Sequence, residues 1–196
     1  MDGAQSVSAL ISVAVGLGLA AACGFRIFVP LLVASVAGYT GRLPLAGGFE
    51  WVGSLPALVA FATATVLEIG AYYVPWLDHA LDAVATPAAL VAGILASAAV
   101  ITDLPPLLKW GAALVGGGGV AGLIQGTSVL FRLKSTTLTG GVANPVVATA
   151  ELIGATGTAL LAIFLPLLCL AAVIGLIILA FRATGRLLFG RRGDPA

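Results

Sequence analysis

Uncharged stretches recur along the chain at helix length. They cover residues 3–25, 27–41, 51–67, 83–102, 110–131 and 152–181. A bilayer span needs about 20 consecutive apolar residues. Segments 51–74 (tolerating Glu68), 83–102, 110–131 and 158–181 meet that demand. Trp51, the Tyr72-Tyr73-Trp76 group and Trp110 fall where aromatic belts mark membrane interfaces.

Residues 7–40 follow another pattern. As one helix they are about 50 Å long, too long for a single crossing. Broken at Cys23-Gly24 they form two short pieces. A tight pair of short, tilted spans fits, and so does a re-entrant hairpin with its tip inside the membrane. In the hairpin Arg26 lies near the midplane. Such backbone is tolerated only where it is buried in protein or lines a wet cavity.

Composition narrows the class. Of 196 residues, 60% are hydrophobic and only 9% are charged. Soluble domains carry about 25% charged residues. The expected fold is therefore all-α: one polytopic membrane domain over 1–196, with about six membrane-embedded segments, some broken or re-entrant. Its parts are a helical pair over 7–40, three spans over 51–131, a polar loop and helix start over 132–150, and a long final helix with a basic tail over 151–196. Net charge is +1, which excludes a nucleic-acid partner. The expected partners are membrane lipids, a small solute or lipid headgroup, and a second copy of the chain. No Lys or Arg precedes the first apolar run, so a cleaved signal peptide is not expected.

Lys and Arg bias sets orientation. Arg182, Arg186, Arg191 and Arg192 put the C-terminus on the cytoplasmic side of a cytoplasmic (inner) membrane. Counting back through the spans adds Arg42 and Lys109 to that side and leaves Arg132 and Lys134 opposite.

Glycine is frequent, 26 residues, and concentrates in GGGG at 116–119. The run either lets helices approach closely or lets the segment unwind. A faint echo links GLGLAAACGFRIF at 16–28 with GGGGVAGLIQG before LFR at 130–132, and LEIGA at 67–71 with ELIGA at 151–155. Transporters built from inverted repeats hold their sites at broken helices.

The polar residues carry the candidate chemistry. Glu68 sits mid-span, where a carboxylate costs a few kcal/mol. It faces a partner or cavity, or it is protonated. Asp78 and Asp82 share a helical face, and His79 points elsewhere. They suit a cation or a basic partner, and lack the further ligands of a metal site. Residues 131–152 offer Arg132, Lys134, Thr136, Thr137, Asn144 and Glu151. Asn144 before Pro145 reads as a helix cap, and that helix start could receive an anionic group. Asp103, Pro105 and Pro106 end one helix and begin another. Cys23 and Cys169 read as buried small hydrophobes. No nucleophile–base set, metal motif or cofactor motif occurs, so an enzyme is not expected.

AACGFRIFVPLL, VPWLDHALDAV and STTLTGGVANPVVATAEL together resemble a bacterial membrane-protein family catalogued as domain of unknown function family 4126. The resemblance runs over 15–182 and implies a polytopic membrane fold, with interest in Arg26, Asp78, Asp82, Asn144 and Glu151. From the residues, Arg26 is expected at a helix break, paired with Glu68, Asp78 or Asp82. The expected function is a small-solute or ion transporter, proton-coupled through Glu68 and Glu151. The alternatives are lipid handling through Arg132 and Lys134, and a structural subunit of a membrane complex.

Overall fold

A computed structural model describes residues 3–189; the side chains of 75–83, 180 and 183–189 lie outside the described set. Asp78, His79 and Asp82 fall within the first of those gaps, so the expectations placed on them lie outside the described residues.

Among the described residues there are seven helices and no strand. They are α1 (Gly3–Phe25), α2 (Phe28–Tyr39), α3 (Leu55–Ala71), α4 (Pro75–Val100), α5 (Pro106–Thr139), α6 (Asn144–Phe164) and α7 (Pro166–Phe189). A 3₁₀ turn, Glu50–Gly53, precedes α3. Helices α1, α5 and α6 are long and apolar enough to cross a membrane, and α2, α3 and parts of α4 and α7 are shorter apolar helices.

Local chemistry sets the starts. Pro75, Pro106 and Pro166 each open a helix, and Pro145 is second in α6. A missing N–H costs nothing in a first turn, where donors have no helical partner. Ser54 caps α3 by accepting the Ala57 N–H. Gly140 and Gly141 end α5 with φ of 62° and 90°, a backbone that favours glycine.

Three boundaries differ from those the sequence suggests. The polar loop expected over 132–150 is helix as far as Thr139, then a tight turn, then helix again from Asn144. Its hydroxyl-rich residues satisfy the backbone within the helix: the Thr137 and Thr139 hydroxyls donate to the Lys134 and Ser135 carbonyls. The single long helix expected after 151 is two helices, because Pro166 removes a donor and crowds the residue before it. The second folds back, and the Cys169 thiol reaches the Thr158 carbonyl at 3.6 Å. The third difference follows from that reversal. Helix α7 ends beside α5, with Ile177 and Phe181 lining a groove shared with Thr127 and Leu130. Its C-terminal end therefore lies opposite Arg42 and Lys109, so Arg182, counted to the same side as those two, stands at the other end.

Helix α1 is the axis of the bundle and packs against α4, α5, α6 and α7. Its apolar window is 67% buried, against 28% for α5 and α6. Small residues make this possible. Ala14, Ala20, Ala21, Ala22 and Cys23 are fully buried. A methyl on Gly24 would meet the Ala121 carbonyl oxygen and Ile124 Cβ, both at 2.6 Å. We expect Gly24→Ala to cost about 1–3 kcal/mol by overpacking. Gly119→Ala, which meets open space, should leave the melting temperature unchanged or slightly raised. Thermal denaturation of the two variants checks this.

The glycine run packs closely and stays helical, within one continuous helix from Pro106 to Thr139. Ala112–Gly118 is π-helical, a departure from α geometry. It also packs closely, since a methyl on Gly117 would lie 2.7 Å from the Gly93 carbonyl oxygen.

Between α1 and α2 the chain reverses. Gly16 on α1 accepts from Ser97, and the loop after α2 donates from Ala46 to the Ala99 carbonyl. Both arms thus return to the C-terminal end of α4, and Arg26-Ile27 forms the tip of a helical hairpin.

Candidate functional site

The hairpin tip is where the buried charges gather. Helix α1 ends at Phe25 and α2 begins at Phe28. The first N–H groups of α2 lack a helical acceptor. Glu68 on α3 supplies one: Oε1 accepts the Ile27 N–H at 2.8 Å and Oε2 the Phe28 N–H at 3.0 Å. Its carboxylate also suits the positive end of the α2 dipole. Glu68 is thus the cap of a helix that lies 40 residues away in sequence.

Of the partners expected for Arg26, Asp78 and Asp82 lie outside the described residues, and Glu68 is not its closest described carboxylate. Arg26 turns to α6, donating from Nη2 to the Ala148 carbonyl at 2.9 Å and lying 3.7 Å from Glu151 Oε2. Arg132 holds the same carboxylate more closely. Its Nε donates to Glu151 Oε1 at 3.0 Å, and its Nη2 pairs with Oε2. This two-point grip is the strong form of a guanidinium–carboxylate pair. The Tyr72 ring joins the cations: the Arg26 Cζ is 3.7 Å and the Arg132 Cζ 4.2 Å from its centroid. Such contacts strengthen when desolvated. The Arg26 side chain is 1% exposed, that of Arg132 5% and that of Glu151 7%.

Helical spacing presents these groups. Gln125, Ser128 and Arg132 are buried on one face of α5. Asn144, Ala148 and Glu151 are buried on one face of α6. Thr136 continues the α5 face, and its hydroxyl accepts from the Asn144 side chain at 3.2 Å. Asn144 is therefore not the helix cap expected; Ala143 occupies that position without a side-chain bond. Nearby, the Tyr73 hydroxyl and Thr149 are 2.9 Å apart.

The structure thus brings together Arg26, Arg132 and Glu151, with Glu68 beside them and Thr136 and Asn144 along the same faces. Lys134 and Thr137 are exposed and stand apart. Arg132 is buried, so Arg132 and Lys134 do not form a shared basic patch. Tyr72 is the member that sequence reasoning missed, having been read as an interface marker. The signal was its spacing, four residues after Glu68 and so on the same face of the α3 end.

Two grooves flank the cluster. One, of about 500 Å³, is lined by Ile27, Phe28, Leu67, Glu68, Tyr72 and Val84 among others. The second, of about 360 Å³, is lined by Phe25, Ser128, Phe131, Val147, Ala150 and Glu151 among others. Each has apolar walls and one of the two carboxylates. Among the described residues, no group of three His, Cys, Asp or Glu side chains could hold a metal ion.

An all-helical bundle with spanning-length helices and a buried ionic cluster defines a polytopic integral membrane protein. A family model described as Domain of unknown function (DUF4126) matches residues 13–186. The chain belongs to that family. No curated protein and no solved structure matches it.

Proposed function

We propose that the protein is a small membrane transporter whose solute passes the Arg26–Arg132–Glu151 cluster. One observation carries the reading: two arginines share one buried carboxylate at the tip of a broken helical hairpin, between two grooves. Ionisable groups inside a membrane bundle are costly and mark substrate or proton pathways. Helix breaks are where transporters build their sites. A carboxylate shared by two cations can move from one to the other when a solute engages either. Proton coupling runs through Glu151 and Glu68 in this reading. About six membrane-embedded segments fit it, with the α1–α2 tip inside the bilayer. Lys134, Arg182 and the tail arginines favour a cytoplasmic C-terminal end, in an inner membrane.

The test is flux into proteoliposomes across a panel of small solutes. Wild-type protein should move at least one of them. Arg26→Lys should slow that flux by about tenfold or more, since an ammonium does not reproduce the planar donor set. Equal flux through both proteins, or none above empty liposomes for any solute, removes the reading.

A lipid-handling reading has one observation in its favour. The groove beside Glu68 and Tyr72 is almost wholly apolar, a lining that suits an acyl chain. It predicts movement of labelled lipid between leaflets in the same liposomes.

A further inference from the structure

We infer that Arg26 binds a small oxyanion, of the carboxylate or phosphate class, inside the helical bundle. Among the described residues, the two carboxylates of the cluster, Glu68 and Glu151, are each already engaged through both oxygens. Arg132 engages both oxygens of Glu151. The N-terminus of α2 engages both oxygens of Glu68. Arg26 is left over. Among the described residues its side-chain hydrogen bond runs from Nη2 to the Ala148 carbonyl, and its nearest Glu151 oxygen is held more closely by Arg132.

Its Nε and Nη1 are buried and have no acceptor among the described residues. These atoms carry three of the five N–H donors of a guanidinium. The Tyr72 ring covers the guanidinium at 3.7 Å, and an aromatic face attracts a cation without accepting N–H bonds in the plane. A buried charge with unmet donors is costly, and native interiors meet such groups with a partner, water or an ion. An oxyanion supplies both the negative charge and several acceptor oxygens. A neutral solute supplies only acceptors, and a cation has no lone pairs to offer the unmet N–H donors. The oxyanion class therefore fits best.

The inference deepens the transport reading and rests on it for the anion's role as cargo; binding itself requires no flux. The same oxygens could belong to a free anion or to a lipid headgroup, so the experiment has an arm for each.

The full chain is placed in phosphatidylcholine nanodiscs and titrated calorimetrically with inorganic phosphate and with acetate, at constant ionic strength set by sodium chloride. Saturable binding of either probe is expected. It should weaken about tenfold or more in Arg26→Lys and vanish in Arg26→Gln. Should Arg26→Gln not fold, Arg26→Lys and the wild type still decide the matter. A parallel sample contains phosphatidylglycerol and is read by native mass spectrometry. One phosphatidylglycerol held per protein and lost in Arg26→Lys, without binding of the free probes, supports the oxyanion site and assigns its source to the membrane. Binding by neither free probe nor lipid overturns the inference, as does binding that ignores the Arg26 variants. Anion binding that appears only in Asp78→Asn or Asp82→Asn also overturns it, because the acceptor is then the chain's own carboxylate. The two readings fail separately. Anion binding without flux of any solute removes transport and keeps the site. Flux of an uncharged solute without anion binding removes the site and keeps transport.

Discussion

Glu151→Gln is expected to destabilise the protein by about 3–5 kcal/mol, the cost of removing one partner from a buried ion pair. The magnitude sits at the high end for a single residue because Glu151 serves two cations. Without its charge, Arg26 and Arg132 remain buried around one Tyr72 ring, both within 4.2 Å of its centroid. Each repels the other. Thermal denaturation in nanodiscs reads the loss. The double variant Arg132→Met/Glu151→Leu should recover part of it, since replacing a buried pair with apolar residues of similar volume is often neutral or stabilising. Recovery stays incomplete because Arg26 loses Glu151 as well. A melting temperature unchanged in Glu151→Gln would show that the pair contributes nothing net.

Glu68→Ala is expected to cost about 2–4 kcal/mol. The carboxylate accepts two N–H groups at the α1–α2 tip. Each donor left buried and unpaired costs about 1–3 kcal/mol. Glu68→Gln keeps one oxygen and should lose about half as much. The effect has an address: amide exchange at Ile27 and Phe28 should accelerate in Glu68→Ala and stay protected at Ala20 and Ala21, deep in α1. Uniform acceleration across α1, or none at the tip, contradicts the capping role. The contrast also separates packing from transport. A Glu68→Gln protein that folds but loses pH-dependent flux assigns the carboxylate a proton-handling role beyond its structural one.

Much of the fold was legible in the chain. Helix-length apolar runs, prolines at helix starts and the scarcity of charge all act locally, so the sequence displays them directly. The break near Gly24 was legible for the same reason, because Arg26 and Pro30 interrupt an apolar run. The partners of the charges were not. The sequence offered Arg26 three carboxylates, Glu68, Asp78 and Asp82, and only the packing of α6 against α1 brings Glu151 within reach. Glu68 meets backbone some 40 residues away, a contact that no spacing rule reports. Residues 132–139 read as loop because Lys134 and three threonines outweigh the leucines around them. The helical spacing of Gln125, Ser128, Arg132 and Thr136 was the better guide. It marks one polar face running through the segment, and that face is the one turned inward. The tightness of α1 was legible as composition, while the identity of its neighbours came only from the folded chain.

A buried cluster that lies on a solute pathway must be reachable from water. The most direct measurement places a cysteine at Ala148, whose carbonyl accepts from Arg26. The background carries Cys23→Ala and Cys169→Ala, removing the two native thiols. A membrane-impermeant thiol reagent is applied from each side of the proteoliposome in turn. Ala148 is 1% exposed, so a static packing site gives no labelling. On a solute pathway the cysteine is labelled from the aqueous phase, and a solute that binds Arg26 slows the labelling. Absence of labelling from both sides, in a protein that remains folded, contradicts the pathway and leaves the cluster a structural lock.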